Sequence, residues 1–177
     1  MLRLSLIIST YNRSDLLIGA LQSVVQQSAD PRLWECIVVN NNSTDDTLAR
    51  FEESAAKHPD FNLRIVTETT QGLSYARNRG IRESEGEYIA IIDDDERIAK
   101  EFIEAYIELF DTTPDAMAAG GPIVAEYQTK RPRWMSCFTE RPIANTMYWG
   151  DKVREFPKGR VPGGGNMALR RSAVRRY

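Results

Sequence analysis

Histidine and cysteine are nearly absent from this chain. One histidine, His58, and two cysteines, Cys36 and Cys137, occur in 177 residues. The cysteines lie far apart, Cys36 in an apolar stretch and Cys137 in a segment that reads as loop, and neither has metal-ligand spacing. Two unmatched thiols of this kind imply reduced cysteines and a cytoplasmic setting. His58 stands beside Pro59 in a polar loop and receives no chemical role. Long apolar runs are also missing. The longest, Leu4–Ile8 and Tyr88–Ile92, fall far short of a membrane span, and the run after Arg3 is too short for the core of a signal peptide. Acid is scarce at one end of the chain. Residues 129–177 hold 12 Lys/Arg against 3 Asp/Glu, a net charge of +9, and nothing acidic follows Glu155. Residues 1–128 carry −11, with 22 Asp/Glu against 11 Lys/Arg. The basic part can pair with the acidic part, or face a diphosphate or an anionic membrane surface. No interleaved aromatic pattern accompanies it, so nucleic acid is not the expected partner.

What is present begins with three consecutive carboxylates, Asp93, Asp94 and Asp95, directly after the run Tyr88–Ile92. An apolar run of this length, rich in Ile, reads as a buried strand. The aspartates then stand at its C-terminal end, where an open α/β sheet opens onto its ligand crevice. Hard oxygen ligands there suit Mg²⁺ or Mn²⁺. The alternative is a solvated acidic turn leading into the next helix.

Strand and helix patterns alternate through residue 128. Strands are expected at Leu2–Ser9, Cys36–Val39, Leu63–Thr67 and Tyr88–Ile92. A fifth is expected at Ala116–Ala119 or Ile123–Tyr127, around Gly120, Gly121 and Pro122. A first helix, capped by Ser14 or Asp15, carries Leu17, Leu21, Val24 and Val25 on one face. A second opens at Thr44 or Asp45 through Leu48 and Phe51, and a third runs from about Leu73 to Arg82. A fourth carries Phe102, Ile103, Tyr106, Ile107 and Phe110. Such alternation with short connections implies an α/β fold, a mainly parallel Rossmann-like sheet with helices on both faces. From Thr129 to Arg160 no period survives, and this proline-rich stretch with Trp134 and Trp149 has the length of a functional loop. The expected division is an α/β core over residues 1–128 and an irregular segment of the same domain over 129–177.

Four polar clusters follow the predicted strands: Thr10, Tyr11 and Asn12 the first; Asn40–Ser43 the second; Gly72–Asn78 the third; Asp93–Asp95 the fourth. In a parallel sheet these ends share one edge. Tyr11 can stack on a planar ring, and Asn41 can offer a donor and an acceptor to a base edge. Arg77 can hold a phosphate or ribose. Together they describe a pocket for a nucleotide carrying a diphosphate. Each cluster also has a plainer reading: an Asx turn and helix cap at Asn40–Asp45, a solvated helix face for Arg77 and Arg79, a linker at Gly163–Asn166. Their coincidence on one edge favours the pocket.

With these residues in view, the chain resembles the family 2 glycosyltransferases, which have the GT-A fold. The matching stretches are LSLIISTYNRSDLLIGALQSVVQQ, ECIVVNNNSTDDT, TQGLSYARNRGIRESEGEYIAIIDDDERI and VPGGGNMALRRS, so the resemblance runs from Leu2 to about Ser172. It implies nucleobase contacts around Thr10, Tyr11 and Asn41, with Asn12 and Asp94 in the same nucleotide-sugar site and Arg77 on the nucleotide. It further implies that Asp93 and Asp95 are the ends of a DxD motif, Asp95 being the direct metal ligand. Gly164, Gly165 and Asn166 would lie beside the donor sugar, towards the acceptor. The implied reaction is metal-dependent transfer of a sugar, with inversion, from a nucleotide-diphospho-sugar to an acceptor hydroxyl. Mn²⁺ or Mg²⁺ would be the cofactor and a glycan or lipid-linked molecule the acceptor. A UDP- or dTDP-sugar is expected, because an amide such as Asn41 satisfies a pyrimidine edge.

Two departures stand out. Asn40 occupies a position where the family often has Asp, and no acidic motif carrying a general base follows Gly163. The expectation is a fragment whose base lies beyond Tyr177, with Glu140, Asp151 and Glu155 as weaker internal candidates. Ser172–Tyr177 reads as the first turn of an unfinished helix. Two rivals are a non-catalytic nucleotide-sugar-binding module and a sugar-phosphate nucleotidyltransferase. The latter would have a Gly-rich basic loop where Ser9, Thr10, Tyr11 and Asn12 stand.

Overall fold

The computed structural model describes residues 1–144, 146–148, 150 and 152–174. Their elements run in the order β1 (Leu4–Thr10), α1 (Ser14–Val24), β2 (Trp34–Asn40), α2 (Thr47–Ala56), β3 (Leu63–Thr67) and α3 (Leu73–Glu83). There follow β4 (Tyr88–Asp93), α4 (Phe102–Thr112), β5 (Ala118–Gly120), α5 (Cys137–Ala144) and β6 (Met167–Arg170). The six strands form one sheet in the order β3-β2-β1-β4-β6-β5. β1 to β4 pair in parallel, while β6 runs antiparallel to both of its neighbours.

The central strands are buried along their whole length, and apolar at most positions, because both faces are covered. β1 and β2 are buried at every position, as expected of parallel strands packed between helices. On one face Leu6, Ile8, Val38, Ala90 and Ile92 meet Leu17 and Leu21 of α1, Phe51 of α2 and Phe110 of α4. On the other, Ile7, Ile37, Val39, Ile89 and Ile91 meet Ala76 of α3. α3 lies close to the sheet because Gly80 has no side chain; a Cβ there would sit 2.4 Å from Cγ2 of Ile7.

Several boundaries differ from the sequence reading. α1 starts at Ser14 with Arg13 as its N-cap, and no side chain caps it. α2 starts at Thr47, because Asn40 and Asp45 fold the preceding residues into turns: Asn40 Oδ1 accepts from Ser43 N, and Asp45 Oδ1 from Thr47 N. Of the two candidates for β5, Ile123–Tyr127 contributes only an isolated bridge from Ile123 to Met147. α5 falls within Thr129–Arg160, where no period was visible, and Cys137 opens it rather than lying in a loop; β6 was not among the expected strands. After β6 the chain turns through a short 3-10 helix, Arg171–Ala173, where an α-helical start was expected. Trp149, Asp151, Arg175, Arg176 and Tyr177 lie outside the described residues.

Candidate functional site

Sheet order sets the location. The chain steps outward from β1 to β2 and β3 on one side, and to β4 on the other. The crevice of an open α/β sheet lies outside the C-terminal strand ends at such a switch point. Here those ends carry Ser9 and Thr10 on β1 and Asp93 on β4, with Ser9 and Asp93 opposite each other.

Side chains alternate across a strand, and the three aspartates accordingly part company. Asp93 turns to the α3 side, where Arg77 Nη2 donates to its Oδ1 at 2.7 Å. The same Nη2 donates to the carbonyl of Gly164 at 3.1 Å. Asp94 turns the other way and is only 3% exposed. The Thr10 hydroxyl donates to its Oδ2 at 2.8 Å, and Arg13 Nη1 to its Oδ1 at 2.8 Å. Asp95 receives Arg13 Nη2 at 2.9 Å. Burial raises the Asp94 pKa, opposed by the Thr10 hydroxyl and the Arg13 charge. Asp93 and Asp95 remain open, with side chains 37% and 46% exposed.

Glu96 completes the turn. Its Oε2 accepts from Asp93 N at 3.1 Å while its own amide donates to Asp93 O. Burial pushes its carboxyl up to about 7, the Asp93 amide opposes the rise, and the charges of Asp93 and Asp95 add to it. The glycine loop packs directly onto these groups. A Cβ on Gly165 would fall 1.9 Å from Glu96 Oε1, and one on Gly164 would fall 2.9 Å from Arg77 Nη1. Gly163–Asn166 is therefore a fitted wall, not a loose linker. Asn166 clamps it: Oδ1 accepts from Tyr106 OH at 2.5 Å, and Nδ2 donates to Pro122 O at 3.0 Å.

Several residues read from the sequence as ligand contacts also brace the framework. Asn41 is buried, its Nδ2 donating to the carbonyls of Glu68 and Thr70 and its Oδ1 accepting from Gly72 N. Its amide shapes the connection between β3 and α3, so neither of its donors is left for a base edge. Asn12, with φ +52, braces the β2–α2 turn: its Oδ1 accepts from Thr44 N and Asp45 N. Thr10 is buried on Asp94, and each Asp94 oxygen accepts one bond from within the protein. Tyr11 remains 45% exposed at the crevice. Arg13 and Glu96 were missed. The signals available were an arginine next to Asn12 and an acid three residues after Asp93.

Beside β5 a cleft of about 720 Å³ opens between Leu109, Ala118, Pro122, Phe156 and Arg160, with the exposed Glu155 on its lining. Glu140 is taken elsewhere: the Tyr127 hydroxyl and Arg131 bond its carboxylate and hold its pKa below the usual range. Cys36 is buried, its thiol pushed up to about 12 by desolvation, and so inert.

Among the described residues no cluster of three or more His, Cys, Asp or Glu side chains is gathered to hold a metal alone. The donor set nevertheless fits a divalent cation that shares its ligands with a phosphate: two hard carboxylates, each partly exposed, with the described bonds engaging one oxygen of each. Ser9 Oγ and Arg77 Nε, at the same end of the sheet, are buried without a hydrogen-bond partner among the described residues. Fold and site together define an α/β protein with an acidic, arginine-flanked crevice at its switch point.

Comparison with known proteins gives the family. The profile of glycosyl transferase family 2 matches residues 5–177, and the chain belongs to that family. Its relatives include the glucosyl-dolichyl phosphate glucuronosyltransferase of Haloferax volcanii, 28% identical over 135 residues. The match covers 75% of this chain and 42% of that protein. The teichoic acid poly(glycerol phosphate) polymerase of Staphylococcus epidermidis is 30% identical over 134 residues, covering 75% of this chain and 18% of the polymerase. Among solved structures, the mannosyltransferase PcManGT of Pyrobaculum calidifontis, in complex with GDP-Man and Mn²⁺, superposes with a TM-score of 0.70 at 26% identity. That superposition covers 96% of this chain and 45% of the mannosyltransferase chain. S. aureus TarS 1-349 with UDP aligns with a TM-score of 0.65 at 25% identity, over 75% of this chain and 38% of that one. The fold is GT-A. The chain thus spans less than half the length of these relatives.

Proposed function

We propose that this chain forms the donor-binding part of an inverting, metal-dependent glycosyltransferase. Sugar would pass from a nucleotide-diphospho-sugar to an acceptor hydroxyl during polysaccharide or other glycan assembly. The observation that carries the reading is the meeting of Asp93, Asp95, Arg77 and the glycine loop at the switch-point edge. A bound divalent cation supplies Lewis-acid stabilisation of charge developing on the departing diphosphate. Asp93 and Asp95 would hold it, as the ends of a DxD motif. Arg77, anchored on Asp93 and Gly164, orients the nucleotide, and the exposed Tyr11 ring offers a stacking surface for the base. Gly164 and Gly165 would bring the wall beside the donor sugar close against Arg77 and Glu96, and Asn166 fixes that wall against Tyr106 and Pro122.

Residues 1–128 serve as the nucleotide-sugar core and residues 129–177 as the acceptor side of the same domain. The cleft beside β5 supports this division. Glu155 lines it and, with Asp151, is the candidate general base within the chain; Glu140 is disfavoured, since its bonds stabilise the ionised form. The protein would act in the cytoplasm, at the cytoplasmic membrane face, on a glycan or lipid-linked acceptor. The +9 charge of residues 129–177 and the exposed Trp134 and Phe138 support contact with anionic lipid, and sedimentation with anionic vesicles tests it. Among the described residues no helix is long and apolar enough to cross a membrane.

Calorimetry with UDP, dTDP and GDP, in Mn²⁺, in Mg²⁺ and in EDTA, tests the donor reading. Binding strengthened by metal is expected, and the comparison of the three nucleotides decides which base is preferred. Equal affinity in EDTA for every nucleotide removes the metal from the site. Donor hydrolysis in metal separates an enzyme from a binding module that performs no chemistry. If Glu155 is the base, Glu155→Gln lowers turnover by about 10²–10⁴-fold and leaves nucleotide affinity unchanged.

A further inference from the structure

Arg13 is the residue whose arrangement the donor reading leaves unexplained. It sits between β1 and α1 as an N-cap without a side-chain cap bond. Its guanidinium instead spans two carboxylates, Nη1 to Asp94 Oδ1 at 2.8 Å and Nη2 to Asp95 Oδ2 at 2.9 Å. The two bonds are unequal. Asp94 is buried and held from its other oxygen by Thr10, so the Arg13–Asp94 bond is shielded from water. Asp95 is 46% exposed, and an ion pair that open contributes little. The backbone beneath Arg13 is also fixed. Asn12 is pinned to the β2–α2 turn through Thr44 N at 2.7 Å and receives the support of Ser43 Oγ at its own amide. The guanidinium can therefore release Asp95 without leaving Asp94. Arg77, the other cation of the site, differs in holding both Asp93 and the glycine loop.

We propose that Arg13 couples metal and nucleotide at this site, an inference that rests on the donor reading above. Arg13 neutralises Asp95 while the site is without ligand. A divalent cation approaching Asp95 alone meets a fixed positive charge that already occupies one of the two oxygens, and like charges disfavour sharing a carboxylate. When a diphosphate arrives with the cation, the Nη2 donor freed from Asp95 gains a new acceptor of the kind guanidinium prefers. Arg13 thus lowers affinity for metal alone and restores it in the presence of nucleotide. By linkage, each ligand strengthens the other by the same factor.

The test measures binding, not turnover. Mn²⁺ alone is titrated into the wild-type chain and into Arg13→Gln by calorimetry and by the electron paramagnetic resonance signal of free Mn²⁺. UDP and GDP are then titrated with and without Mn²⁺. Arg13→Gln should bind Mn²⁺ alone about 5- to 10-fold more tightly, and the enhancement of nucleotide binding by Mn²⁺ should fall by a similar factor. Arg32→Gln removes an exposed cation at the far end of the sheet and should change neither quantity; an equal gain there would reduce the effect to net charge and overturn the assignment. If Arg13→Gln fails to fold because Asp94 is left buried without its cation, Arg13→Gln combined with Asp94→Asn is read against Asp94→Asn alone, with the same gain expected. Nucleotide binding with an unchanged or weaker Mn²⁺-alone affinity in Arg13→Gln overturns the role of Arg13 and leaves the donor reading standing. Absence of UDP and GDP binding in every chain, with Mn²⁺ present, overturns the donor reading and the coupling with it.

Discussion

The two ends of the sheet use the same ingredients, arginine and carboxylate, to opposite effect. At the N-terminal end Glu35 is 1% exposed. Its Oε1 accepts from the Ser5 hydroxyl at 2.6 Å and from Glu85 N at 2.8 Å, and its Oε2 accepts from Arg64 Nε at 3.1 Å. Backbone, hydroxyl and guanidinium leave it no exchangeable partner. At the C-terminal end Asp93 and Asp95 are held chiefly by arginine side chains, and each stays partly open. One carboxylate is sealed by the fold and the others are lent to it. What separates a structural ion pair from a functional one is thus the environment of the remaining lone pairs, rather than the pair itself.

The sharpest way to break this contrast is at the sealed end. Glu35→Ala should cost about 3 kcal/mol, because the buried Ser5 hydroxyl and the Glu85 amide lose their shared acceptor while Arg64 keeps Glu83; urea unfolding measures it. Asp94→Ala comes next. Asp94 lies at the ligand end but is buried like Glu35, so its removal should cost about 1–3 kcal/mol through the orphaned Thr10 hydroxyl, again read from urea midpoints. Asp95→Ala should change stability by no more than about 0.5 kcal/mol while abolishing the Mn²⁺ enhancement of nucleotide binding, seen by calorimetry. A stability loss at Asp95 as large as that at Asp94 would erase the distinction between sealed and lent carboxylates.

The last test concerns Asp111 at the sealed end, where the effect depends on pH. The Tyr88 hydroxyl and Arg3 hold its pKa below the usual carboxylate range. A depressed folded pKa stabilises above the unfolded value, near about 4, and that contribution disappears as pH falls through the folded pKa. Asp111 is 41% exposed, so Asp111→Asn should cost no more than about 1 kcal/mol at neutral pH after solvent screening. The gap between the two chains should close below about pH 4, as followed by unfolding midpoints across pH.

The legibility of these features in the sequence follows from how local their causes are. β3, a half-buried edge strand, was readable to the residue from its β-branched run Ile65–Thr67, and β4 was readable to within one residue because an apolar run buried on both faces leaves a continuous signature. The aspartate turn was visible for the same reason, being anchored to such a strand. β6 was invisible: four residues are too few to show a period, and its place depends on pairing Tyr88 with Arg170 across the sequence. α5 was hidden by Pro142 inside it. The framework bonds of Asn41 were not legible, because an amide's donors look alike in sequence whether they face a ligand or, as here, the carbonyls of Glu68 and Thr70. Arg13 and Glu96 escaped because their significance comes from partners, and Arg13 finds its partners 81 and 82 positions away.

The antiparallel entry of β6 has a consequence for how such proteins can diversify. Gly120, where β5 ends, stands opposite Met167, where β6 begins. The chain leaves the sheet at Gly120 and returns to it at one and the same point of its edge. Residues 121–166 are therefore a cassette with both ends clamped in register. Loop-closure entropy rises only slowly with length, so this cassette can be lengthened, shortened or replaced while Gly164 and Gly165 are still delivered against Arg77 and Glu96. On the donor reading proposed above, one frame could in this way serve many acceptors.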